Sequence, residues 1–314
     1  MSDLTGQLAV VIGYGSIGQR HTRVLEELGL AVCVVSRRNI ERPGSYSRIK
    51  DALAEAPDYV VVANETSRHG EALRALSSHG WAGVTLVEKP LVADVTELSD
   101  PFGMERLHVG YNMRFLPLLK ALREAIGNAR LLSVEARCGH WLPDWRPNRD
   151  YRQTYSARQE DGGGVLRDLS HELDYVQWIA GPWRRVFAQG GRLSSLETDV
   201  EDMVAMFIES ESCPVVTVTL NYLDRTAERR LMVNTTAGTV RADFVAGTLS
   251  VDGQVRFEAS PGDMDSSYVE MHRDVLSGNP VFACSSDAAS DVVRLIGATE
   301  LSMKTQEVVG RDRF

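Results

Sequence analysis

The chain has 314 residues, 43% of them hydrophobic and 25% charged, with a formal net charge of −9; this is the make-up of a soluble globular protein long enough for two domains, and its acidity argues against nucleic acid as a partner. No apolar run reaches membrane-spanning length, and MSDLTGQ opens without a basic and then apolar leader, so no membrane contact is expected. Cys33, Cys138, Cys213 and Cys284 lie far apart with no C-x-x-C, and the seven histidines lack ligand spacing, which points to reduced cytoplasmic thiols and no metal site.

Leu8–Ile12 is a continuous apolar run that predicts a strand buried on both faces, as in a parallel sheet. It leads into Gly13-Tyr14-Gly15-Ser16-Ile17-Gly18, and a helical pattern follows through Leu28. Gly13 suits the tight turn, Gly15 lets backbone approach a pyrophosphate, and Gly18 lets the helix lie close on the strand. Ser16 and Ile17 begin that helix, whose N-terminal N–H groups attract phosphate. The stretch is a dinucleotide fingerprint; a merely structural glycine turn is the alternative. The next strand, Ala31–Val35, ends in Ser36-Arg37-Arg38. About 20 residues past the glycines, an acid would bind the ribose 2′-hydroxyl of NAD. A hydroxyl and two guanidinium groups stand there instead, and arginine forks match a 2′-phosphate. NADP(H) is therefore the expected cofactor, with NAD(H) the alternative if both arginines are only solvated surface charges.

Asp51–Ala56 reads as helix and Tyr59–Ala63 as strand, followed by polar Asn64-Glu65-Thr66-Ser67 and a helical pattern over His69–Leu76. Ligands of open α/β sheets bind beyond the carboxyl ends of the strands, which places Asn64, Glu65 and His69 near the cofactor. A further strand, Val84–Val87, ends at the same edge in Glu88-Lys89-Pro90, where Lys89 reads either as a functional ammonium or as a surface charge. Leu107–Tyr111 is the expected last strand of the first domain, and Tyr111 to Phe115 the crossing to the second.

Pro117–Ile126 reads as a helix with proline in its first turn, and Arg130–Arg137 as the first strand of a new sheet. His140–Arg158 is a loop dense in Trp, Tyr and Arg. Loops this long inside a compact domain tend to be functional. Aromatic faces suit sugar rings and arginines suit carboxylates or phosphates; the alternative is that Trp141 and Trp145 anchor the loop on the core. Gly162–Gly164 enters a helix over Val165–Ile179, setting Asp168, His171 and Asp174 or Tyr175 on one face. Strands follow at Val186–Leu193, Met203–Glu209, Val215–Tyr222, Arg229–Thr235, Thr239–Val245 and Leu249–Val251. Turn signals at Ala237-Gly238, Ala246-Gly247 and Asp252-Gly253 separate the last of them. Two helices close the chain, Ser267–Leu276 and Asp287–Lys304, the second with Ser286 as N-cap.

Three segments together, GYGSIG (Gly13–Gly18), EKP (Glu88–Pro90) and GGGVLRDLSHELD (Gly162–Asp174), resemble the glucose–fructose oxidoreductase, inositol 2-dehydrogenase and MocA family. GYNMRF at Gly110–Phe115 and YVEMHRDVLSG at Tyr268–Gly278 echo it more weakly, and the order holds over essentially the whole chain. The resemblance implies an α/β protein: an N-terminal Rossmann dinucleotide-binding domain over residues 1–111, and a C-terminal α+β domain over 112–314 with a large, mostly antiparallel sheet. It implies an enzyme that moves hydride between a nicotinamide and the CH–OH or C=O carbon of a sugar, amino sugar, nucleotide sugar or cyclitol. It also implies a homodimer or homotetramer formed through the open face of the second sheet.

The family's motif lysine, aspartate and histidine match Lys89, Asp168 and His171. The family places one more residue between the aspartate and the histidine than this chain does, whereas His171 keeps the expected offset to Asp174. Histidine, with an ordinary pKa of about 6.5, suits general acid/base work. His171 is thus expected to move the hydroxyl proton, Lys89 to hydrogen-bond the reacting oxygen, and Asp168 to orient either partner. Tyr111, Asn112, Arg114, Trp141 and Tyr151 are the further expected substrate contacts. Two alternatives stand beside this one: a non-catalytic NADP(H)-sensing protein, and a redox-assisted lyase or glycosidase that recycles its cofactor. The joint presence of Lys89 and His171 favours an enzyme over a sensor.

Overall fold

A computed structural model describes residues 4–99, 102–146 and 148–314; the first three residues of the MSDLTGQ opening and Pro147 of the aromatic loop lie outside them. The chain divides into two compact units, Met1–Phe115 with Met264–Ser290, and Leu116–Asp263 with Asp291–Phe314.

In the first unit the apolar runs become strands β1 (Leu8–Ile12), β2 (Ala31–Val35), β3 (Ser45–Tyr46), β4 (Tyr59–Val62), β5 (Val84–Val87) and β6 (Leu107–Val109). Helices α1 (Ser16–Glu27), α2 (Ile49–Leu53) and α3 (His69–Ser78) connect them. The six strands are parallel in the order β6-β5-β4-β1-β2-β3. Val10, Val11, Val60, Val61 and Val62 are fully buried, which is why their segments read as unbroken apolar runs rather than alternating ones. Pairing of Ile12 with both Val35 and Val62, of Val62 with Val87, and of Val87 with Val109 levels the carboxyl ends of five strands. The strand order reverses at β1 and β4, so the binding crevice of such a sheet opens beyond Ile12 and Val62.

The second unit is built on β7 (Leu131–Gly139), β8 (Trp183–Gly191), β9 (Met203–Ser210), β10 (Val216–Asn221), β11 (Glu228–Thr235), β12 (Gly238–Asp243), β13 (Thr248–Val251) and β14 (Gln254–Glu258). Helices α4 (Pro117–Ile126), α5 (Val165–Asp168) and α6 (Ser170–Ala180) belong to it. After β14 come α7 (Asp263–Leu276), β15 (Cys284–Ser285), α8 (Ser286–Thr305) and β16 (Val309–Gly310). Strand β15 adds antiparallel to β6 in the first unit, and β16 to β8 in the second. The large sheet runs β14-β13-β12-β11-β7-β10-β9-β8-β16, antiparallel except for β7 with β10. One face carries Val204, Met206, Ile208, Val218 and Leu220 into the core, while Phe207, 64% exposed, points the other way. This is the alternation of a sheet covered on one side.

The structure departs from expectation in places. Ser286 begins α8 and does not cap it; the Ala288 N–H donates instead to Ser285 Oγ at 3.3 Å. The helix expected over Val165–Ile179 is broken at Leu169, whose φ of −99° and ψ of 26° separate α5 from α6. There the Glu172 N–H bonds to Leu169 O, three residues back instead of four. Strand β14 extends the last hairpin through Asp252 and Gly253, both at positive φ (49° and 80°), the two-residue turn their sequence signals.

Candidate active site

The glycine turn after β1 has the shape its sequence requires. Gly13 adopts φ +99°, and a Cβ there would lie 2.5 Å from the Asn64 amide nitrogen. A Cβ on Gly18 would overlap the Gly13 carbonyl oxygen, whereas one on Gly15 would meet nothing within 4 Å. Gly15 is the N-cap of α1 and supplies no side-chain acceptor, so the first amides of the helix have no capping side chain. Open space beside Gly15 and uncapped amides from Ser16 onward fit a pyrophosphate.

Around this turn the other expected residues gather from neighbouring strand ends. Arg38 donates from Nη2 to the Tyr14 carbonyl at 3.0 Å, and its amide donates to Ser36 Oγ at 3.1 Å. Arg37 lies 3.7 Å from Glu65, both side chains exposed. Asn64 donates from Nδ2 to Arg68 O at 3.2 Å. His69 is buried, with Nδ1 2.9 Å from Pro90 O and Nε2 3.3 Å from Asn64 O. Burial lowers its pKa, and the ring lies between the loops that follow β4 and β5.

At the end of β5, Glu88 is buried and Lys89 half-buried, and the Lys89 N–H donates to Glu88 Oε2 at 3.2 Å. Glu88 Oε1 lies 2.8 Å from His21 Nε2 on α1. His21 Nδ1 lies 2.9 Å from Nε2 of His272 on α7, and His272 Nδ1 lies 3.0 Å from the Tyr59 hydroxyl on β4. Burial pushes the Glu88 pKa up, but the His21 hydrogen bond and the charge of Lys89 outweigh it, and the net shift is downward. His272 is held well below the usual histidine value, chiefly by burial. The crossing residues are buried too: Tyr111, Asn112 and Arg114 are 1%, 3% and 6% exposed. Asn112 is committed to Ser267, donating from Nδ2 to Oγ at 2.8 Å, which ties the crossing to α7.

In the second unit Asp168 ends α5, 7% exposed, and accepts from the Tyr222 hydroxyl at 2.7 Å. Burial, then the Asp168 charge, raises the Tyr222 pKa far above normal, so the phenol stays a donor. His171 stands half-buried in the first turn of α6. On the same helix, Glu172 is fully buried and takes a forked bond from Arg229 on β11, at 2.6 and 3.0 Å, plus the Tyr175 hydroxyl at 3.1 Å. This pair pins α6 to the sheet. Glu201 accepts the Leu166 N–H at 3.0 Å, and burial lifts its pKa to about 7.

The aromatic loop divides its labour. Trp145 donates to His140 O at 3.1 Å and meets the Tyr222 ring edge-on at 5.1 Å, so it anchors the loop on the core. Trp141 is half-buried and carries the Arg225 guanidinium 3.4 Å above its ring centre. The Tyr151 hydroxyl accepts the Glu197 N–H at 3.1 Å.

The first unit thus brings together the glycine turn, Ser36 to Arg38, Asn64, Glu65, Glu88 and Lys89; the second joins Asp168 to Tyr222 and Trp145. Sequence reasoning missed His21, Tyr59, His272, Arg225 and the Glu172–Arg229 pair. A signal existed for His21, which sits three and four residues before buried Val24 and Leu25 on the inner face of α1. His272 likewise lies one turn past Tyr268 and three residues before Val275.

A family model described as the oxidoreductase family with an NAD-binding Rossmann fold matches residues 8–107, and one described as the GFO/IDH/MocA C-terminal domain matches 120–241. An inositol 2-dehydrogenase of Rhizobium meliloti is 27% identical over 146 residues, which is 44% of this chain and 42% of that protein. The curated relatives are matched over 38% to 53% of their own length. Among solved structures, GenD2 from gentamicin A biosynthesis, in complex with NAD, superposes with a TM-score of 0.81 at 22% identity, covering 99% of this chain and 97% of that one. The UDP-N-acetylglucosamine 3-dehydrogenase GnnA from Acidithiobacillus ferrooxidans gives 0.78 at 22% identity, covering 95% and 98%. Such identities establish a shared fold. With both halves matched in order, and with the glycine cradle built as a dinucleotide requires, the chain belongs to the glucose–fructose oxidoreductase, inositol 2-dehydrogenase and MocA family of oxidoreductases.

Proposed function

We propose that this protein transfers hydride between NADP(H) and a hydroxyl-bearing carbon of a sugar, amino sugar, nucleotide sugar or cyclitol. The observation that carries the reading is the levelled edge of the parallel sheet, where an open glycine cradle and Lys89 lie at the carboxyl ends of β1 and β5. Inositol and UDP-N-acetylglucosamine, named for two relatives, are substrates of this chemical kind. For the cofactor, Ser36, Arg37 and Arg38 replace the acid that a ribose diol would need, and Arg38 is already anchored beside the turn.

Bound in the cradle, the nicotinamide would accept or return the hydride. The chain's own residues must deal with the proton and the charge on oxygen. Oxidising a secondary alcohol frees a hydroxyl proton, and an imidazole takes it near neutral pH, the role we give His171. The Lys89 ammonium donates a hydrogen bond to the same oxygen and stabilises its negative charge. Asp168, kept a fixed acceptor by Tyr222, orients the substrate. Arg225, stacked over one face of Trp141, sets a cation against an aromatic ring, a pairing suited to a sugar bearing an anionic group. In the same reading, the sheet face that exposes Phe207 and Val215 pairs with a second copy of the chain.

The test is a panel of keto-sugars, nucleotide sugars and cyclitol ketones, followed by consumption of NADPH and of NADH, on protein sized by light scattering. Expected are oxidation of NADPH with at least one member, faster than of NADH, and a dimer or tetramer mass. Faster NADH consumption would overturn the cofactor assignment, and a monomer mass the pairing. Binding of the dinucleotide with no consumption across the panel would overturn the reaction.

A further inference from the structure

The first unit contains a continuous run of buried polar side chains that the mechanism above does not use: Tyr59, His272, His21 and Glu88, drawn from β4, α7, α1 and the end of β5. Tyr59, His21 and His272 are fully buried and Glu88 is 8% exposed. The two ends of the run decide its direction. An ionised carboxylate only accepts, so Glu88 requires a proton on His21 Nε2. Neutral His21 then shows a lone pair at Nδ1, and His272 must carry its own proton on Nε2. His272 Nδ1 is left an acceptor, and the Tyr59 hydroxyl fills it. Every donor and acceptor along this path is used once. Reversing it, by protonating Glu88 or by placing a second proton on His21, leaves the buried Tyr59 hydroxyl proton with no acceptor among the described residues.

We propose that Tyr59, His272 and His21 form a one-way hydrogen-bond chain that holds Glu88 as a carboxylate with its second oxygen on the Lys89 amide, which makes them positioning residues for Lys89. The charged and titratable groups facing the chain are Lys89 and His69 beside Glu88, and Tyr268, Arg20 and Asp265 on the α1 and α7 side. Of these, Lys89 favours the ionised carboxylate, and burial lowers the pKa of His69. By reciprocity the carboxylate favours the protonated ammonium of Lys89. The catalytic meaning of this device rests on the reading of Lys89 given above; the hydrogen-bond chain itself does not.

The test needs no substrate. The chain has only four lysines, Lys50, Lys89, Lys120 and Lys304, so reductive methylation with 13C-formaldehyde gives a spectrum in which Lys89 can be assigned by Lys89→Arg and titrated directly. Glu88→Gln removes the carboxylate charge while keeping a hydrogen-bonding group, and is expected to lower the Lys89 midpoint by about one pH unit. In the unmodified protein, 15N spectra of the imidazoles should show His21 and His272 each protonated on Nε2 and bare on Nδ1. A Lys89 midpoint unmoved by Glu88→Gln, or a proton on Nδ1 of either ring, would overturn the proposal. Failure here leaves the oxidoreductase reading intact, and an active Lys89→Ala would sink that reading while leaving the hydrogen-bond chain standing.

Discussion

At the residue scale, Glu201 is the group whose protonation most directly couples to stability. It sits beside Gly164, whose missing side chain makes room for the carboxylate, and accepts the Leu166 N–H. Burial outweighs that hydrogen bond and lifts its pKa from 4.5 to about 7. A folded-state pKa above the unfolded one means the native form binds more protons across that interval. Stability from this group is therefore full below about pH 4.5 and is lost as pH rises through about 7, by roughly 3 kcal/mol on the usual conversion. Glu201→Gln should match the wild type near pH 4 and unfold at a higher temperature near pH 8, read by calorimetry at both. An equal difference at the two pH values would refute the shift. Nothing in the local sequence, DVEDM, distinguishes Glu201 from exposed Asp199 or from fully buried Asp202; the room for its carboxylate comes from Gly164, far away in the chain. Lys89 and the glycines were legible because their chemistry is local to a motif, whereas the partners of Glu88 come from three separate elements.

At the scale of elements, the turn between β1 and α1 separates two uses of glycine. Gly18 is needed by the protein itself, because a Cβ there overlaps the Gly13 carbonyl oxygen and only backbone movement relieves it. Gly15 lies at φ −78°, open to any residue, and a Cβ there meets no protein atom within 4 Å. Gly18→Ala should thus cost stability, about 1–3 kcal/mol. Gly15→Ala should leave the unfolding temperature unchanged and weaken dinucleotide binding about tenfold or more, about 1.4 kcal/mol. Thermal unfolding and calorimetric titration with NADPH on both variants check the contrast; equal losses of stability would contradict it. Strands β1 and β4 were readable because burial on both faces leaves an unbroken apolar run, and β9 and β10 because burial on one face imprints a period on the sequence. Two-residue strands such as β3, β15 and β16 carry no period. The break at Leu169 was also hidden, since Leu-Ser between Asp168 and His171 contains no helix breaker. The one-residue shortfall against the family's spacing falls across that same interruption.

At the scale of the whole molecule, the order of the motifs disclosed two domains and their classes, and the family models match both. What the sequence did not disclose is that the chain returns to the first unit late, over Met264–Ser290. There Tyr268, Met271 and Val275 join the core of Val11, Val34 and Val61, and His272 reaches Tyr59 and His21. Contacts between residues more than two hundred positions apart leave no local trace. The reaction itself is tested most directly by Lys89→Ala and His171→Ala, with turnover on an accepted carbohydrate and the NADPH dissociation constant measured on the same samples. The expected result is turnover reduced about a hundredfold or more in each variant, with NADPH affinity within about twofold of wild type. Near-normal turnover in both variants would contradict it.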